Sequence, residues 1–213
     1  MQLFRSGTAS ALTLVLVAVG CGGGSDGGGT TAPPPAPVLT TLAVTAASAT
    51  LFTVAPGNST GLAVVARDQN GAVISNAGTV TYSSGNPSVA TIGSDGVVRA
   101  TGAGTAQINA SVTFGGITRG GGTNVTVQVA PASGTVTAPE FVFLPTTIDV
   151  QAGGVVTWSI GAIHHNVTFN SAGAPANIDE LRNASDSRTF PSSGTFNYNC
   201  AFHAGMNGTV VVH

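Results

Sequence analysis

The sequence predicts an all-β protein: two β-sandwich domains that follow an exported N-terminal segment and a structureless linker. Three observations predict it. Short runs rich in Val, Ile, Thr and aromatic residues recur between turn signals across residues 38–213, the pattern of half-buried strands. No amphipathic stretch of helical length competes with them. Residues 21–37 are dominated by Gly, Pro and Ala, a composition that cannot bury a core.

The elements follow in chain order. Residues 1–20 read as a signal peptide, with Arg5 supplying the positive charge and Ala9 to Val19 the apolar run, too short to span a bilayer. Ala18-Val19-Gly20-Cys21 resembles a bacterial lipoprotein cleavage box, which would make Cys21 the lipidated residue. It departs from that pattern in carrying Ala18 where Leu is usual, and Ala18 and Gly20 also satisfy an ordinary small-residue cleavage site. Lipidation and simple cleavage both stay open. The stretch from Gly22 to Pro37 then forms a tether, flexible in its Gly-rich half and stiffer through Pro33-Pro34-Pro35.

Residues 38–130 form the first expected sandwich. Candidate strands are Thr41 to Thr45, Leu62 to Ala66, Val80 to Tyr82, Val89 to Ile92, Val97 to Ala100, Ala106 to Ala110 and Val125 to Val129. Asp68-Gln69-Asn70-Gly71 is a turn, and Asp95-Gly96 is a strong hairpin signal. The run from Val80 through Asn86-Pro87-Ser88 to Ile92, continued by Asp95-Gly96-Val97 to Ala106, resembles bacterial Ig-like domains of group 2. That resemblance implies a fold and not an activity. With no clustered carboxylates, His or Cys, the region reads as a spacer.

Residues 131–213 carry the chemistry. Phe196, Tyr198 and Cys200 alternate with Asn197 and Asn199, which puts Cys200 on the buried face at a strand's end. His203 and Met206 follow in a tight turn, Gly205 and Gly208 letting the backbone curl. Upstream stands His165. Two imidazoles, a thiolate and a thioether make the ligand set of a blue-copper electron-transfer centre, Met being the weak axial partner. A buried thiol beside a surface His, half a zinc site or a catalytic Cys-His pair are the competing readings. Met206 and His165 fit copper and none of these.

The segments Glu140 to Phe143, Thr147 to Gly153, Val155 to Trp158, His165-Asn166-Val167 and Gly194 to Cys200 resemble a small cupredoxin of the plastocyanin and amicyanin kind. The Cys-x2-His-x2-Met spacing is the amicyanin one. The resemblance implies a Greek-key sandwich holding one type 1 copper on His165, Cys200, His203 and Met206. It selects His165, the His followed by Asn, over His164, and neighbouring strand residues in any case face opposite ways. It gives Asn166 the part of tying the first ligand segment to the Cys loop. It makes the exposed edge of His203, ringed by Ala201, Phe202 and Ala204, the electron port. Trp158 reads as core, His213 as a frayed last residue, and Asn177 to Arg188, which holds most of the domain's charges, as a partner-facing insertion or a solvated loop.

Composition narrows the function. Only 7% of residues are charged, all six basic ones are Arg and the net charge is −2, so no basic patch exists for nucleic acid. With Cys21 assigned to lipid and Cys200 to metal, neither of the two cysteines is left for a disulfide. Asn199 and Ala201 flank Cys200 where a multicopper oxidase needs His, so no enzyme is expected. The sequence therefore predicts a monomeric, lipid-anchored copper carrier of the bacterial cell envelope, periplasmic or surface-facing, that exchanges electrons with a partner protein. The alternative is a surface-display or adhesion lipoprotein that buffers copper without a carrier role.

Overall fold

The computed structural model describes residues 33–213. The expected signal peptide, Cys21 and most of the tether lie outside them. Every regular element among the described residues is a β-strand.

Eight strands build the first sandwich: β1 (Thr41–Ala46), β2 (Thr50–Phe52), β3 (Ser59–Arg67), β4 (Val80–Ser84), β5 (Ala90–Ile92), β6 (Val97–Ala100), β7 (Gly104–Phe114) and β8 (Ile117–Gln128). They form two four-stranded sheets in the orders β1-β3-β6-β5 and β2-β8-β7-β4. The alternation that identifies strands in sequence is visible in burial. Along β7, Ala106, Ile108, Ala110 and Val112 face inward while the residues between them do not. Leu51, Val98, Ile108 and Val125 meet in the core between the sheets.

The second sandwich contains β9 (Ser133–Glu140), β10 (Val142–Leu144), β11 (Thr147–Val150), β12 (Gly154–Ile160), β13 (His165–Phe169), β14 (Ile178–Leu181), β15 (Ala184–Phe190), β16 (Gly194–Asn199) and β17 (Asn207–Val212). One sheet runs β10-β9-β12-β15 and the other β11-β17-β16-β13-β14. Strand β12 buries Val156, Trp158 and Ile160 and turns the residues between them outward. Trp158 is fully buried, edge-on to Tyr198 (5.4 Å between ring centroids) and to Phe169 (5.7 Å). Core packing is thus its role, and truncating such a side chain typically costs about 3–5 kcal/mol.

Two expectations are corrected. Residues 177–188 are not a loop: they supply β14 and most of β15, and β15 pairs with β12 along its length. Their charges are used locally. The Arg188 guanidinium donates to the carbonyls of Ala176 (2.8 Å) and Asn177 (2.7 Å) and to Asp186 (2.8 Å). His213 is not frayed either. Its backbone continues the β11–β17 pairing, donating to Val150 O and accepting from Ala152, and its side chain is buried.

Candidate metal centre

Two neighbouring strands of one sheet bring the site together. Thr168 on β13 lies opposite Asn199 on β16, so the start of β13 reaches the loop that leaves β16 through Cys200. His165, the first residue of β13, is buried, and His164 is exposed. Cys200 continues the inward series of Phe196 and Tyr198 and is 3% exposed. The loop then closes on itself. Cys200 N–H donates to Met206 O (3.0 Å) and Met206 N–H to His203 O (3.3 Å). Gly205 takes φ +80°, the left-handed conformation that glycine adopts without strain.

Three ligand atoms converge. Cys200 Sγ lies 3.4 Å from His203 Nδ1 and 3.8 Å from His165 Nδ1, and the two Nδ1 atoms are 3.1 Å apart. The centre of a triangle with those edges is about 2 Å from every corner, the length of a metal–imidazole bond in proteins. His165 faces the sulfur through Nδ1, and its Nε2 is buried without a protein partner. Met206 is 2% exposed and belongs to the same buried cluster as Cys200. The donor chemistry is that of copper: a soft sulfur and two imidazoles with no carboxylate in the group, and a thioether in the same buried cluster.

The surroundings hold this arrangement ready for a metal. Burial, then the nearby His203 and His164, push the His165 imidazole below its ordinary 6.5, keeping it in the neutral form that binds metals. Asn166 Oδ1 accepts from Ala201 N–H at 2.8 Å and so fastens the His165 strand to the Cys200 loop. Beneath the site, Phe143 packs against His165 (6.4 Å) and Tyr198 (4.9 Å). The Tyr198 hydroxyl has no hydrogen-bond partner. Burial drives it up to about 12, so Tyr198 stays neutral.

His203 alone of the converging trio reaches the surface, being half-buried. Exposed aromatic rings border it. Phe141 is 61% exposed and sits 4.8 Å from the His203 ring; Phe202 is 47% exposed and packs edge-on to His164 at 5.1 Å. Phe141 is absent from the sequence-derived site. It sits at the turn between β9 and β10, where Val142 pairs with Glu140, and no local signal marks its approach to His203.

A family model for copper-binding proteins of the plastocyanin/azurin family matches residues 130–213. The plastocyanin of Scenedesmus fuscus is 34% identical over 102 residues, covering 42% of this chain and 99% of that protein. The chain belongs to the plastocyanin/azurin family of copper-binding proteins. Amicyanin-alpha of Methylorubrum extorquens is 38% identical over 92 residues, covering 40% of this chain and 77% of its own. Among solved structures, a reduced Cu(I) form of an amicyanin variant aligns at 30% identity over 40% of this chain and 87% of the other. Its TM-score is 0.36, too low to add to the sequence match. The cupredoxin fold and a copper cofactor therefore stand for the region that contains His165, Cys200, His203 and Met206.

Proposed function

We propose that this cupredoxin is an exported, membrane-tethered electron-transfer protein whose single type 1 copper is held by His165, Cys200, His203 and Met206. The observation that carries the reading is the convergence of Cys200 Sγ and two Nδ1 atoms, within 3.1–3.8 Å of one another, beside a buried Met206. Bound copper supplies one-electron exchange between Cu(I) and Cu(II). The chain's own residues supply the rest. Cys200 would give a thiolate, His165 a neutral imidazole in the core, and Met206 a weak thioether donor.

The fixed backbone limits rearrangement between oxidation states. The loop closes through its own hydrogen bonds, Asn166 ties it to β13, and Phe143, Tyr198 and Trp158 pack beneath it. His203 is the outlet to a redox partner, because it joins the buried sulfur to the surface. The exposed rings of Phe141 and Phe202 give that partner an apolar face to dock on. The first sandwich acts as a spacer of the bacterial Ig-like group 2 kind, with Cys21 as lipid anchor and the 22–37 tether holding the copper end clear of the membrane. The reading assigns the chain no catalytic turnover.

Voltammetry of the copper-loaded chain on an electrode tests the function. A reversible one-electron wave, its peak separation small and nearly constant with scan rate, is the expected result. A slow, irreversible wave would mark a copper store and overturn the carrier reading.

A further inference from the structure

Residues 36–213 form one compact unit, yet no strand of the first sandwich pairs with a strand of the second. Among the hydrogen bonds of the described residues, one joins β1–β8 and their loops to β9–β17: His213 Nδ1 to Pro56 O, at 2.5 Å. Pro56 lies in the short loop after β2, which Phe52 N–H closes by donating to Gly57 O at 3.0 Å. The His213 ring is built into that loop. It stacks on Phe52 with centroids 3.6 Å apart and planes inclined at 27°. It also passes over Gly57, where an added Cβ would lie 3.5 Å from the ring.

The other ring nitrogen, Nε2, meets Asp149 Oδ1 at 2.8 Å, from within the second sandwich. A carbonyl oxygen and a carboxylate oxygen only accept, so both contacts are made at once only by a ring that donates from both nitrogens. With Asp149 as a carboxylate, the ring that makes both is the imidazolium. Asp149 is the acidic side chain that faces it. Phe52, the Pro56 carbonyl and Gly57, on the first sandwich, carry no charge. Asp149 is 40% exposed, which gives the proton a path to water.

We propose that His213 is a proton-dependent clamp between the two sandwiches. Protonated, it fixes the copper domain on the 53–57 loop. Deprotonated, it keeps one hydrogen bond at most, and the two sandwiches reorient about residues 129–132. Strand β17 runs away from the ligand loop for its six residues before reaching His213. The clamp therefore sits about 20 Å along the strand from Met206, clear of the metal. Its state sets how freely the copper end is presented, without touching the ligands.

Backbone 15N relaxation of the full-length chain tests this, at about pH 5 and about pH 9, on either side of the range in which imidazoles titrate. The side-chain nitrogen shifts of His213 are read in the same samples. The two sandwiches should tumble as one body with a cationic His213 in acid and acquire separate correlation times in base. Cleavage by a protease between residues 129 and 132 should quicken by about tenfold, the worth of one charge-assisted hydrogen bond. His213→Gln, which cannot donate from two sides, should behave at both pH values as the parent does in base. Asp149→Asn, altered at a half-exposed position, should lower the pH at which the joint loosens. Identical tumbling at both pH values, or a neutral His213 ring in the joined state, would overturn the clamp.

Discussion

Gly208 has no room for a side chain: a Cβ there would fall 2.3 Å from the Tyr198 ring. In sequence Gly208 reads as a hinge beside Gly205, but only Gly205 has a positive φ; Gly208 is a packing contact across β16 and β17. Gly208→Ala should therefore destabilise the copper domain by about 1–3 kcal/mol, the usual cost of overpacking, measured as a lower urea midpoint. Asn166→Ala removes the hydrogen bond to Ala201 and should cost about 1 kcal/mol. Its effect should also appear as faster copper loss to a chelator, because the bond spans the two ligand segments. His165 gives a pH dependence. Its folded imidazole is held below its ordinary 6.5, so the metal-free fold resists protonation that the unfolded chain accepts. Stability is complete above about pH 6.5 and declines as pH falls below it. A urea midpoint of the metal-free chain that stays level from neutral to mildly acid pH would contradict this. At this scale the sequence speaks through spacing. Cys200, His203 and Met206 announce their chemistry, alternation says that only one of His164 and His165 can face them, and the family resemblance, through Asn166, picks His165. The tasks of Gly208 and Phe141 depend on neighbours far away in sequence and are silent in it.

Strands were legible where one face is buried and the other wet. β7, β12 and β16 alternate cleanly, and the Asp95-Gly96 signal falls between β5 and β6 as expected. β14 and β15 were not legible, because they are short of apolar residues and owe their extension to pairing with β13 and β12. β2 is three residues long and held by parallel pairing to β8, a long-range contact with no local signature. Arg188 shows how a charged edge is ordered: it holds the approach to β14 through two carbonyls and Asp186. Replacing Arg188 with Ala should lower stability by about 1.5–3 kcal/mol, the range for hydrogen bonds from a charged donor. The loss should show in chemical denaturation, with hydrogen exchange accelerating first across residues 176–181. Uniform acceleration across β9–β17 would argue against that local role.

The described residues have separate cores, one centred on Trp158 and Tyr198 and others on Ile108 and on Leu39. Two unfolding transitions are expected in calorimetry. Copper should raise one of them, since a ligand stabilises only the unit that binds it; a single transition that moves as a whole would mean the sandwiches unfold together. Cys200, with His165 and His203, is proposed to bind copper as a thiolate. The most direct test is visible absorption and EPR of the Cu(II)-loaded full-length chain beside its Cys200→Ala variant. An intense blue thiolate-to-copper band and a small copper hyperfine splitting are expected in the parent, both gone in the variant. A pale tetragonal spectrum in the parent, or a blue variant, would contradict it.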